Sequence, residues 1–197
     1  HGGDPTLPTM EAMSPDRGFL GAPADEAIPA FCGRCHVGVE EDYRGSAHGK
    51  ALGQGGPQCV TCHGNHAVRQ ATPDLINERD CSRCHSYGRA EEIKAAVART
   101  DALIVSLQSA LPPLRRLGIA TKGLQDEIFA VRNDFHRLFH SVDVERVRRQ
   151  SAAFEAKLNK VGAEVEAIEE TLKRRRLAGA AAVGGLVLAG MLLLLLR

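Results

Sequence analysis

The second half of the chain carries the apolar spacing of packed helices. Beginning at residue 93, large side chains recur at alternating gaps of four and three residues, which places them on one face of an α-helix. The members of this first run are Ile93, Val97, Thr100, Ile104, Leu107 and Leu111. Pro112-Pro113 is predicted to end the helix, with Gly118 and Gly123 in the connection that follows.

Two further runs follow, and a change of phase separates them near residues 141–143. The second run comprises Leu124, Ile128, Val131, Phe135, Leu138 and Val142, and the third comprises Val144, Val147, Ser151, Phe154, Leu158, Val161, Val165, Ile168 and Leu172. Either one long helix kinks between them, or a turn separates two helices. Asp143 stands where it would cap the later helix. We interpret all three runs as packing surfaces.

A continuous apolar stretch closes the chain. Leu177 to Leu196 is twenty residues without a charge or a polar side chain, the length that crosses a hydrocarbon core of ~30 Å. The sequence therefore predicts a transmembrane anchor. Ala181, Gly185 and Ala189 recur at every fourth position, which indicates either a seat for a neighbouring membrane helix or simply a span rich in small residues.

The first 88 residues lack this periodicity. Residues 1–30 contain five prolines and are predicted to form an extended arm or a wrapping loop. Residues 31–88 have few large apolar side chains and frequent glycine, so their burial alone would not offset the entropy of ordering the chain. The predicted fold is mostly α: a loop-rich segment over 31–88 with few short helices, a helical hairpin or bundle over 89–176, and a transmembrane helix over 177–196.

Charge and the first residue narrow the class of protein. The formal net charge is +1. The chain therefore lacks the excess of basic residues that is typical of a nucleic-acid binder, and no nucleic-acid partner is expected. The sequence starts with His1 instead of methionine, as it would after removal of a secretory signal.

Residues 31–88 contain three copies of the pentapeptide C-x-x-C-H. It is the signature of covalent haem c attachment, in which two thiols form thioethers to the porphyrin and the histidine binds the iron. The predicted thioether residues are Cys32, Cys35, Cys59, Cys62, Cys81 and Cys84, all six cysteines of the chain, and the predicted proximal ligands are His36, His63 and His85. Zinc is the alternative, but it favours two pairs at one ion and requires no histidine after each pair.

Three covalently bound haem c groups, with their iron, are therefore predicted, and they would themselves serve as the core of residues 31–88. Haem is attached to this signature outside the bacterial cytoplasm, which agrees with an exported chain.

Five histidines remain to complete the three irons: His1, His48, His66, His136 and His140. This surplus favours two histidines on every iron and lower potentials than histidine–methionine ligation gives. The candidate distal ligands are His48, His66, His140 and His136. His66 is too close to His63 to serve the same haem, so a neighbouring haem is expected for it. Either His136 or His140 is expected to complete the third haem; His140 is preferred, because it falls in the register of the following helix.

The stretch around the second motif resembles a known family. Ser46-Ala47-His48-Gly49, followed by Cys59 to His66, is similar to the S-x-H-G…C-x-x-C-H-G-x-H pattern of small multihaem c-type cytochromes of bacterial respiratory chains. The resemblance implies that His48 and His66 are distal haem ligands. The membrane-anchored quinol dehydrogenases of that wider group differ, since their span is amino-terminal and they usually hold four or more haems. The resemblance therefore does not imply that this chain oxidises quinols.

The predicted function is a membrane-anchored trihaem cytochrome c that relays single electrons on the periplasmic face of the bacterial cytoplasmic membrane. It would be a single-pass, non-enzymatic subunit of a respiratory or photosynthetic complex, passing electrons between an integral membrane complex and a soluble periplasmic carrier. The alternative is a small multihaem reductase with one open haem iron; a haem-based sensor or a structural subunit is less favoured.

One charge pattern opposes this topology. Lys173-Arg174-Arg175-Arg176 precede the apolar stretch and a single arginine follows it. The positive-inside rule would place residue 176 in the cytoplasm, but long translocated domains can override the rule, and an amino-terminal signal would already have committed the chain to export. Lipid head groups or an acidic partner surface are the candidate contacts of this cluster.

Overall fold

The computed structural model describes residues 2–196, so the candidate ligand His1 lies outside the described residues. The chain is 71% helical and has no β-strand among residues 2–196, which confirms the mostly α class. It forms two compact units. One runs to Arg99 and adds Asn133–Ser151; the other comprises Thr100–Arg132 and the residues from Ala152 onward.

The amino-terminal residues form short turns instead of one continuous extended arm. Three 3-10 helices span Met10–Met13, Pro15–Arg17 and Asp25–Ala27. Hydroxyl caps initiate the first two, since Thr9 Oγ1 and Ser14 Oγ each accept a hydrogen bond from a following backbone N–H at 3.3 Å.

The segment with the cysteine motifs alternates short helices and loops. Its helices are α1 (Ile28–Gly33), α2 (Val37–Gly45), α3 (Ala47–Lys50), α4 (Cys59–His63) and α5 (Glu78–Cys81), with a 3-10 turn at Pro73–Leu75. Between residues 31 and 88 the buried residues are Gly33, Tyr43 and Ser46. Side chains alone therefore provide little core in this segment.

Three long helices follow: α6 (Gly88–Arg116), α7 (Lys122–Leu138) and α8 (Val144–Leu195). The predicted apolar runs are their buried faces. Of the predicted positions, those buried in the first unit are Ile93, Val97, Phe135, Leu138, Val147 and Ser151, and those buried in the second are Thr100, Ile104, Leu107, Leu111, Leu124, Ile128, Val131, Phe154, Leu158, Val161 and Val165. Val142, Val144, Ile168 and Leu172 are half-buried. The periodicity thus identified the packing surfaces correctly.

The predicted end of the first helix at Pro112-Pro113 is wrong. Helix α6 continues through both prolines to Arg116, because Leu111 and Leu114 on either side of the pair are buried at 5% and 3% exposure. This packing outweighs the backbone hydrogen bonds that proline removes. The helix ends instead at Arg116, two residues before Gly118, whose φ of +80° suits glycine, and Ile119 N–H donates back to the carbonyl of Leu114 at 3.2 Å.

A turn, not a kink, separates the second and third apolar runs. Val142 has a φ of +46°, a conformation that costs a β-branched residue about 1–3 kcal/mol. Asp143 then caps α8 as predicted, since its Oδ1 accepts a hydrogen bond from Arg146 N–H at 2.7 Å. The change of phase in the sequence marks this turn.

Helix α8 includes the apolar stretch at its carboxyl end. Residues 177–196 are exposed, and α8 is the one helix within residues 2–196 that is long and apolar enough to cross a membrane.

Candidate metal centre

Each cysteine motif forms one helical turn. In the first motif Cys35 N–H and His36 N–H both donate to the carbonyl of Cys32, at 3.2 and 3.1 Å. In the third motif Cys84 N–H and His85 N–H donate to the carbonyl of Cys81 at 3.3 and 3.4 Å. The second motif coincides with helix α4. Residues at positions i, i+3 and i+4 share one helix face, so both thiols and the imidazole of each motif project the same way.

Two proximal histidines each have another histidine ring opposite them. The rings of His48 and His85 have centres 6.2 Å apart and planes inclined by 21°. The rings of His63 and His140 have centres 6.4 Å apart and planes inclined by 15°. Each pair joins a motif histidine to a distal candidate that comes from elsewhere in the sequence.

These separations fit two imidazoles on one metal. With an N–metal bond of about 2.1 Å and a ring centre about 1.1 Å behind the nitrogen, opposed imidazole ligands have centres about 6.4 Å apart. Both pairs match this spacing, which is too wide for direct ring-to-ring stacking contact. The residues present therefore fit the axial positions of a haem iron.

The second ring nitrogen of two proximal histidines is already engaged. Nδ1 of His63 donates to the carbonyl of Arg69 at 3.2 Å, and Nδ1 of His85 donates to the carbonyl of Ser86 at 2.9 Å. Histidine ligands usually donate their other N–H to such a carbonyl, which fixes the tautomer and the ring orientation. Nε2 is thereby the nitrogen left for a metal on both rings.

The S-x-H-G sequence sets the position of His48 through the packing of helix α3. Ser46 caps α3 by accepting Gly49 N–H at 3.2 Å, and its buried hydroxyl donates to the carbonyl of Tyr43 at 2.6 Å. A Cβ atom at Gly49 would clash with that same carbonyl and with the backbone of Arg44. Glycine is therefore required for α3 to pack against the end of α2, and this packing sets the position of His48.

Arg69 holds the second motif from the other side. Its backbone N–H donates to the carbonyl of His63 at 2.7 Å, and its guanidinium donates to the carbonyl of Cys62. Together with the Nδ1 bond of His63, three contacts fold residues 63–69 back onto α4.

An ion pair brings the His140 segment to the motifs. Arg137 Nε donates to Asp42 Oδ2 at 2.7 Å, and the Asp42 side chain is only 14% exposed. The hydrogen bond that Arg137 donates to Asp42, together with the negative charge of Asp42, raises the pKa of Arg137. The guanidinium also lies over Gly38, where a Cβ atom would come within 3.1 Å of it.

Burial favours the neutral form of two distal candidates, His48 and His140. It lowers the pKa of His48 and of His140, and the facing rings of His85 and His63 lower them further. A neutral imidazole is the form that binds a metal. Nδ1 of His140 is buried and has no hydrogen-bond partner within residues 2–196.

The three motifs lie side by side. The thiol of Cys59 hydrogen-bonds with that of Cys32, and burial together with this neighbour raises the pKa of Cys59 to about 11. Burial also raises the pKa of Cys62, with a further contribution from Cys81. The second motif is therefore adjacent to the first through one cysteine and to the third through the other.

The first motif has a different environment. His36 is exposed, and within residues 2–196 it has no histidine ring opposite it of the kind seen at His63 and His85. It is close enough to His140 to lower the pKa of that residue. The remaining candidates are both exposed: His66 follows Asn65, whose Oδ1 accepts His66 N–H at 2.8 Å, and the ring of His136 lies 6.5 Å from that of Phe135.

The ring of His140 lies opposite that of His63 in the second motif, whereas the sequence predicts that His140 or His136 completes the third haem. Tyr43, Arg69 and the Arg137–Asp42 pair were not identified, because arginines and acids far apart in sequence give no local signal. Within residues 2–196 no group of three or more His, Cys, Asp or Glu side chains is arranged to hold a bare metal ion.

Comparisons with protein-family models, with curated proteins and with solved structures found no match to this chain.

Proposed function

We propose that this chain is a trihaem c-type cytochrome that relays single electrons and does not itself transform a substrate. The observation that carries the proposal is the pair of opposed histidine rings at 6.2 and 6.4 Å, each containing the histidine of a C-x-x-C-H motif. Two independent signals, a covalent attachment motif and a ligand spacing, thus point to the same group.

The ring pairs give a ligand assignment. His85 and His48 serve the third haem, and His63 and His140 serve the second. His36 serves the first haem, with His66 or His136 as the candidates for its opposite face. The second haem takes the middle place in this arrangement, because Cys59 lies beside Cys32 of the first motif and Cys62 is near enough to Cys81 of the third for their charges to interact.

Haem c supplies a reversible one-electron couple when bound. His85 with His48, and His63 with His140, would each hold one haem iron, and these paired histidines would leave no position for a substrate at the second and third motifs. Neutral histidines on both faces favour lower potentials than methionine would. The carbonyl bonds at His63 and His85 fix the rings, so that little rearrangement accompanies the gain or loss of an electron.

The apolar end of α8, which is long enough to cross a membrane, supports the proposal that the cytochrome is membrane-anchored. We infer a single pass with the haem segment on the periplasmic side, because the haem c signature belongs to exported chains. The partners would be an integral membrane complex and a soluble periplasmic carrier, met through small, charge-guided interfaces.

Haem counting tests this proposal. A pyridine haemochrome assay on the purified full chain is expected to give three haems per polypeptide, and Cys59→Ser with Cys62→Ser is expected to leave two. The oxidised wild-type protein should show low-spin signals for the second and third haems. Fewer than three haems in the wild type would overturn the trihaem proposal.

The first motif bears on a second candidate function. His36 is exposed, and an open position on the iron that it would hold is what a small nitrogen- or sulfur-oxide reductase needs. A high-spin signal that changes when cyanide is added would favour the reductase. Low-spin signals from all three haems, lost in part by His66→Ala or His136→Ala, would favour the relay.

A further inference from the structure

The second unit contains a groove at the start of the apolar stretch. It has a volume of about 430 Å³ and lies between the end of α6 and the middle of α8. Its apolar walls are Pro113, Leu114, Leu117, Leu172 and Leu177, and its charged lining residues are Glu169, Lys173 and Arg176. The groove is thus mostly apolar, with two cations and one carboxylate beside it.

The position of the groove relates it to the membrane. Leu177 is the first residue of the apolar stretch, so the level of Lys173 and Arg176 is that of the lipid head groups when α8 spans a bilayer. This step rests on the proposed membrane anchoring. At that level an apolar wall meets the upper acyl chain, and a cation meets the phosphate.

The charges of the groove are available to an external anion. Arg174 is paired with Glu170 at 3.0 Å, whereas Lys173 and Arg176 are exposed and form no ion pair within residues 2–196. Glu169 has one negative charge against their two positive charges. The lining therefore keeps a net positive charge of one beside an apolar surface.

We propose that this groove binds an anionic phospholipid of the bilayer, with its phosphate between Lys173 and Arg176 and its upper acyl chain against Leu117 and Leu177. The shape and the charge complement such a lipid, since cationic residues next to a span attract anionic head groups. The proposal also gives a role to a basic cluster that the positive-inside rule leaves unexplained on the outer side.

The test uses full-length protein in nanodiscs of phosphatidylcholine and phosphatidylglycerol, extracted into mild detergent, with the retained lipids counted by mass spectrometry. The wild-type protein is expected to retain phosphatidylglycerol in preference to phosphatidylcholine. Lys173→Gln with Arg176→Gln is expected to lower that preference about tenfold. The matched control, Arg174→Gln with Arg175→Gln, removes the same charge outside the groove and is expected to lower it less than about threefold.

A third variant tests the apolar wall without changing charge. Leu117→Ser is expected to reduce the retained phosphatidylglycerol, because it removes apolar contact for the acyl chain. An equal loss of phosphatidylglycerol preference in the two double variants, or no such preference in the wild type, would overturn the proposed lipid site. Neither result would contradict the membrane anchor. Failure of the chain to enter nanodiscs would overturn the anchoring itself, and the lipid site with it.

Discussion

Arg137 Nε lies 2.7 Å from Asp42 Oδ2, although 95 residues separate them in the sequence. Arg137 stands one residue before the end of α7, three residues before His140, and Asp42 stands on α2 between the first two motifs. This contact fixes the segment that presents His140 against the motif segment. The partner ring of His63 therefore depends on an ion pair that contacts neither ring.

Loss of this pair is expected to disturb the second haem. Arg137→Gln should leave the haem count unchanged but broaden or split the low-spin signal of one haem, because His140 is held less firmly. The measurement is electron paramagnetic resonance of the oxidised protein. Arg148→Gln is the control, since Arg148 pairs with Glu92 at 3.8 Å, away from the histidine rings. The same change in both variants would contradict the positioning role.

Replacement of each distal candidate is expected to alter a different haem. His140→Met and His48→Met should each raise one midpoint potential by on the order of 100 mV, within the ~0.8 V that axial ligands span. The two shifts should add in the double variant, because the affected irons differ. Potentiometric titration with optical detection measures them. An unchanged potential in His140→Met would remove this residue from the ligand set.

Glycine at position 49 is expected to be essential to the third haem. Gly49→Ala introduces a Cβ atom closer than 3.0 Å to the backbone of α2, and such overpacking costs about 1–3 kcal/mol. We expect a lower free energy of unfolding and a weakened low-spin signal at the haem that His48 serves. Gly45→Ala is the matched control, since nothing lies within 4 Å of a Cβ atom there, and it should retain both properties.

The prolines in α6 are expected to weaken a helix that forms in spite of them. Pro112→Ala restores a backbone donor and should raise the free energy of unfolding by about 1 kcal/mol. Chemical denaturation of the full chain measures the change. Pro15→Ala provides a comparison, because Pro15 occupies the first position of a 3-10 helix, where no donor is needed. A loss of stability in Pro112→Ala would contradict a helix that continues to Arg116.

Local patterns in the sequence predict the elements well. The apolar spacing identified the buried faces of α6, α7 and α8, and the change of phase near residue 142 marked the turn that Asp143 caps. The predicted helix end at Pro112-Pro113 is wrong for a local reason as well. Proline strongly disfavours a helix interior, but the burial of Leu111 and Leu114 outweighs that cost. Helix ends are decided by such competition, which spacing alone does not resolve.

The sequence by itself determined which side chains are grouped in the candidate centre. The three C-x-x-C-H motifs specify which thiols and which imidazole belong together, because the five adjacent residues of each motif lie on one helical turn and need no distant contact to be close. Their association with haem c is a prediction from this pattern. The apolar run over 177–196 likewise needs no tertiary contact to be long enough for a membrane.

Only the tertiary structure decided which histidines face each other. His48 is 37 residues from His85, and His140 is 77 residues from His63, so no local spacing relates the members of either pair. Their separations follow from packing: Gly49 against Tyr43 sets the first, and Arg137 with Asp42 supports the second. Contacts between distant segments depend on the whole fold, and for that reason the sequence supplied the candidate ligands while the structure supplied their partners.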